Sequence, residues 1–258
     1  MLGAILLILI GSADLARANV SRRIRWAAVV VLVWMVVIVS AVAGLGVSIW
    51  WVAIPVALAI AWLLTTSATI ESRSTGGALP AIGVLTALIA FLIWDRTALT
   101  LDGVISDWHA SVTSTVISSL PLPALGIGLG VALFAIESSN IIVRAALRPA
   151  VADARSAVAA VSGSRWWHRT PTAVPALVDL RGGRLIGPVE RVLIIALTLA
   201  GALPIVAGLL AAKGIVRFPE ISNDGVGGSK AEYFLVGSLM SWTIAVASTG
   251  LIWVAAQG

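Results

Sequence analysis

The chain has 258 residues, of which 59% are hydrophobic and 11% charged, and its mean hydropathy is +1.04. So much apolar surface excludes an ordinary soluble domain and makes lipid part of the solvent. The formal net charge of +5 comes mostly from arginine, and with no cysteine there are no disulfides, thiolate metal sites or cysteine nucleophiles.

A bilayer core of about 30 Å takes about 20 helical residues to cross. Apolar bands at 2–15, 26–45, 51–69, 79–94, 122–143, 192–213 and 234–254 predict an all-α fold. It is a polytopic transmembrane bundle of about seven spans in a single integral membrane domain, 1–258. The first and fourth bands are the shortest. Residues 1–18 have the length of a signal peptide, with Ala16-Arg17-Ala18 as a cleavage site. However, no positive charge precedes the apolar run, whereas Arg17, Arg22, Arg23 and Arg25 follow it. That flank order predicts a retained anchor. Asp14, near its end, lies one turn from Arg17 and is expected to pair with it.

The second and third bands are separated only by residues 46–50, which predicts a tight helical hairpin. Trp26, Trp50, Trp51, Trp94 and Trp253 fall near span ends, where an indole sits well between lipid tails and water. Between the fourth and fifth bands, 95–121 is expected to be an external interfacial segment. Leu101, Val104, Ile105, Trp108, Val112 and Val116 recur there at helical spacing, with Asp102, Asp107 and His109 toward water.

Gly126-Ile127-Gly128-Leu129-Gly130 has the look of a phosphate loop but follows no strand; Gly126 and Gly130 stand in GxxxG register for close helix packing. Further along the same band come Glu137, Ser138, Ser139 and Asn140, with Arg144 one turn on. Glu137 and Asn140 are three apart, and Asn140 and Arg144 four apart, so they share a helix face. Polar groups at membrane depth are costly and mark functional sites. This face can bind a cation, carry a proton or hydrogen-bond a polar substrate. The plainer reading is that Glu137 pairs with a neighbouring arginine near the headgroups.

Residues 148–187 form a connecting segment, alanine-rich over 150–161 and broken at 162–164. Arg165-Trp166-Trp167-His168-Arg169 follows, an expected anchor on anionic lipid. Arg181 to Arg191 then leads into the sixth band. Pro188 is expected in the first turn of that helix, and Glu190 at its positive dipole end. Gly201, Pro204 and Gly208 predict a kink within the band, as in interrupted transporter helices. Gly237, Ser241 and Ala245 give the last band a close-packing stripe.

Over 180–258, Gly183-Arg184-Leu185-Ile186-Gly187, Glu190-Arg191, Ala211-Ala212-Lys213, Arg217-Phe218 and Ala231-Glu232-Tyr233-Phe234-Leu235-Val236-Gly237-Ser238-Leu239-Met240-Ser241 form a pattern. It resembles a bacterial integral-membrane family of unknown function with a GRxIG–ER, AAK–RF and AEYFLxGxLxS signature. Pro188-Val189 and Gly214 depart from that signature. The resemblance implies no activity. It directs attention to Arg184, Glu190, Arg191, Lys213, Arg217 and Glu232, which join Glu137, Asn140 and Arg144 as candidate substrate- or ion-binding residues.

Arginines cluster in alternate connections: Arg17 to Arg25, Arg73, and Arg144 to Arg191. The bias of cytoplasmic loops toward Lys and Arg then puts the N-terminus outside and the C-terminus inside a bacterial inner membrane. The expected partners are membrane lipids, anionic at the inner face, and a second copy or another membrane protein; nucleic acid, a cofactor and a metal are not expected. Three functions fit: a small-solute or ion transporter, an accessory or scaffold subunit of a membrane complex, or a membrane enzyme acting on lipid or lipid-linked substrate. No catalytic motif is present, and transport leads.

Overall fold

The computed structural model describes residues 1–20, 23–66, 79–98, 101–113, 118–147, 183–222 and 229–257. The alanine-rich stretch, the Arg165–Arg169 motif and the rest of 148–182 lie outside them. The described residues contain helices and no strand: α1 (Leu2–Asn19), α2 (Arg23–Val39, continued by a π turn, Ser40–Gly44), α3 (Ile49–Thr65), α4 (Leu79–Ala98), α5 (Val104–Ser111), α6 (Leu122–Ile136), α7 (Ser138–Leu147), α8 (Gly183–Leu199), α9 (Leu203–Ser222) and α10 (Ser229–Ala256).

Helix α1 is apolar all round, the pattern of an interior helix, and it forms the centre of the bundle. Leu6, Leu9, Ile10 and Ala13 are completely buried. Helices α2, α3, α4 and α6 pack around it. Its closest partner is α6, and small residues allow the approach. A Cβ added at Gly130 would stand 2.7 Å from Leu7 Cβ, and one at Gly11 would stand 2.8 Å from the backbone nitrogen of Phe134. The two helices thus interlock reciprocally, each backbone filling the space left by the other's glycine. Gly126 meets Ala4 in the same way, whereas Gly128 faces open space.

The α2–α3 hairpin turns at Gly46, whose φ of +70° suits glycine. The chain entering α5 docks on this turn. The Asp102 amide donates to Leu45 O at 3.3 Å, and a side chain at Gly46 would collide with Asp102 O. Helix α5 realises part of the expected amphipathic stripe: Ile105 turns in against Gly44, while Val104 and Trp108 stay exposed. The end of that stripe, at Val116, lies outside the described residues.

Among the described residues, three helices are long and apolar enough to cross a membrane: Leu2–Asn19, Ile24–Gly44 and Ala231–Ala256. The pair Leu122–Ile136 and Ser138–Leu147, bent by 48°, makes a fourth if it counts as one span. Ile49–Thr65 and Leu79–Trp94 are apolar but shorter. About seven crossings were expected; the helices found do not confirm that number.

The expected kinked sixth span is instead two helices. Leu199 ends α8, Gly201 turns at φ +73°, and Leu203 opens α9. Because α8 begins at Gly183, Pro188 and Glu190 lie inside it, not in its first turn. The fifth band divides as well, at Glu137.

Candidate functional site

The break between α6 and α7 follows from its own residues. Ser and Asn side chains compete with the backbone for nearby carbonyls, and here Ser138, Ser139 and Asn140 follow Glu137 in succession. Ser139 Oγ donates to Phe134 O at 3.0 Å, and Asn140 Nδ2 donates to Ile136 O at 3.0 Å. The carbonyl between them, Ala135 O, accepts from Arg191 Nε at 3.2 Å. Three successive carbonyls at the end of α6 are therefore satisfied by side chains where the helical ladder is interrupted.

Arg191 is 1% exposed. Besides Ala135 O, its guanidinium donates from Nη1 to Ser241 Oγ at 3.4 Å and from Nη2 to Asn140 Oδ1. All three acceptors are neutral. A buried cation without a carboxylate is expensive. Two features offset the cost: α6 presents its negative dipole end to the arginine, and the carboxylates of Glu137 and Glu190 add attraction. The fork thereby ties α8 to α6, α7 and α10 at one point. A Cβ at Gly187 would stand at ordinary contact distance, 3.6 Å, from both Arg191 and Asn140.

Glu137 is 3% exposed. It meets Arg144 at 3.5 Å, and the Arg144 side chain is 34% exposed. A cavity of about 210 Å³, lined by Leu15, Asn19, Ile136, Glu137, Leu185 and Pro188, reaches the carboxylate between the end of α1 and the start of α8.

On the other side of α8, Glu190 is clamped. Lys213 Nζ donates to both its oxygens, at 2.8 and 2.5 Å, and Trp242 Nε1 donates to Oε1 at 2.9 Å. The ammonium also lies 5.6 Å from the centre of the Trp242 ring, a cation–π distance. A third charged group joins α1 to α3. Asp14, fully buried, pairs with Arg17 at 2.5 Å and accepts from Trp62 Nε1 at 3.0 Å. Arg17 continues to Thr66, donating to its carbonyl at 3.1 Å and its hydroxyl at 2.8 Å, and so caps the end of α3.

Of the residues singled out in the sequence, Glu137, Asn140, Arg144 and Arg191 meet at the helix break, and Glu190, next to Arg191 on α8, pairs with Lys213. Arg217 and Glu232 are exposed. Arg184 falls on the first turn of α8, and its side chain lies outside the described residues. Trp62, Trp242 and Thr66 were not anticipated, and Ser241 was read only as a packing residue. The two tryptophans carried a signal: each sits within an apolar band and not at its edge, so its N–H needs an internal acceptor. Both find a carboxylate.

No family model, no curated protein and no solved structure matches the chain.

Proposed function

We propose that the chain is a polytopic transporter of a small solute or ion, with its polar intramembrane site at Glu137. The supporting observation is the interrupted α6–α7 span, which places a buried carboxylate at its break and beside a cavity. Interrupted helices serve transporters in this way, because unwound backbone and side chains offer ligands at membrane depth. Glu137 is 3% exposed, lines that cavity and meets a partly exposed arginine at 3.5 Å, so a cation or proton entering the cavity would meet its carboxylate.

The alternatives draw less support. A scaffold would offer its small-residue faces to partners, but Gly126 and Gly130 meet α1, and Gly237 and Ser241 meet Leu147 and Arg191 within the chain. A phosphate-handling enzyme needs uncommitted cations, yet Arg17, Lys213 and Arg191 are each held by internal acceptors.

The test is ion flux in proteoliposomes loaded with a pH-sensitive dye, under imposed Na⁺, K⁺ and proton gradients. Wild type should dissipate at least one gradient. Glu137→Gln should slow that flux at least tenfold with an unchanged melting temperature. Equal flux from both proteins would overturn the assignment.

A further inference from the structure

The cavity beside Glu137, of about 210 Å³, is small, since pockets for drug-sized ligands run from about 300 to 1,000 Å³. Among the described residues its lining is one carboxylate, Glu137, one carboxamide, Asn19, and the apolar side chains of Leu15, Ile136, Leu185 and Pro188. Leu185 is 63% exposed and Asn19 is exposed as well, so the cavity opens between them toward the buried carboxylate.

This lining discriminates among cations. A metal ion stripped of its water takes about six or more oxygen ligands, and the cavity offers the oxygens of two side chains. The three carbonyls at the end of α6 each already accept from a side chain: Phe134 O from Ser139, Ala135 O from Arg191 and Ile136 O from Asn140. A hydrated ion fares no better, because the apolar walls return no hydrogen bonds to its water shell. A protonated alkylamine suits both parts of the lining. Its ammonium has three N–H donors at most, and a carboxylate has about four lone-pair sites. Glu137 can therefore keep Arg144, which meets its Oε1, and still accept from an ammonium. Asn19 Nδ2 donates to Leu15 O at 2.9 Å, which leaves Asn19 Oδ1 to accept a second N–H. The alkyl body gains by leaving water for the apolar walls.

We propose that this cavity binds a small protonated primary amine, its ammonium between Glu137 and Asn19 and its alkyl body against Leu15, Ile136, Leu185 and Pro188. Naming that amine as the transported substrate rests on the transport reading above; its binding does not.

The test is isothermal titration of the full chain in mild detergent with n-butylammonium, sodium, tetramethylammonium and n-butanol in turn. n-Butylammonium should bind at one site per chain and at least tenfold more tightly than each of the others. Sodium lacks the apolar body, tetramethylammonium the N–H donors and n-butanol the charge. Glu137→Gln should weaken n-butylammonium binding at least tenfold. Leu185→Trp, which crowds the cavity mouth from an exposed position, should do the same and serves should Glu137→Gln fail to fold. Sodium or n-butanol binding as tightly as n-butylammonium would overturn the proposal, as would undiminished binding by either folded variant. Should Glu137→Gln slow ion flux while n-butylammonium fails to bind wild type, the amine is overturned and the transport reading stands. Binding that depends on Glu137 in a chain that moves no ion supports the amine site and overturns transport.

Discussion

Arg191 shows how one side chain can hold a broken helix. Its Nε–H replaces the missing backbone donor for Ala135 O, and its two other contacts fix Asn140 and Ser241. Arg191→Leu removes donors from three acceptors in a buried setting; losing even one partner costs about 1–3 kcal/mol, so a loss of about 3 kcal/mol or more is expected. Arg191→Lys should recover only part of it, since an ammonium cannot reproduce the planar fork. Melting of both variants in detergent measures this. A Lys variant as stable as wild type would show that charge alone suffices. The carboxylates were partly legible at this scale: Glu137, Asn140 and Arg144 follow from spacing on one helix. The Arg191–Ala135 bond spans 56 positions and crosses the connection 148–182, so no local pattern encodes it.

Among elements, α1 carries the architecture. Its uniform hydrophobicity indicated a membrane span but not its place at the centre, because apolar faces turned to lipid and to protein look alike in a sequence. The glycines were more informative. Gly126 and Gly130 were expected to pack a helix closely, and they pack α1. Gly130→Leu must displace Leu7 and the α1 backbone and is expected to cost about 1–3 kcal/mol or more. Gly128→Leu, pointing into open space, should melt as wild type does. Comparable melting of the two variants would contradict the α1–α6 interface. The breaks at Glu137 and Gly201 were less legible. Ser-Ser-Asn after a glutamate signals competition for carbonyls but not that competition wins. Gly201 and Pro204 suggested a kink, and the chain makes a full interruption there.

For the whole molecule, three layers of charge placement converge. The arginine-rich connections of the sequence predict an orientation, hydrogen bonds from the Asp14–Arg17 pair tie α1 to α3, the Glu190–Lys213 pair ties α8 to α9, and the buried Glu137 lines a cavity. The broad exposed apolar surfaces of α2, including Leu32, Met35 and Val36, fit lipid contact. The absence of cysteine from the sequence makes accessibility labelling clean. The most direct test of the central claim is a single cysteine at position 137, treated in sealed membranes with a small, charged, impermeant thiol reagent from each side in turn. The account predicts rapid labelling from the arginine-rich side, through the space between Asn19 and Leu185, and slower labelling from the opposite side. Protection of position 137 from both sides, with cysteines at the helix ends still reactive, would contradict a hydrated intramembrane site.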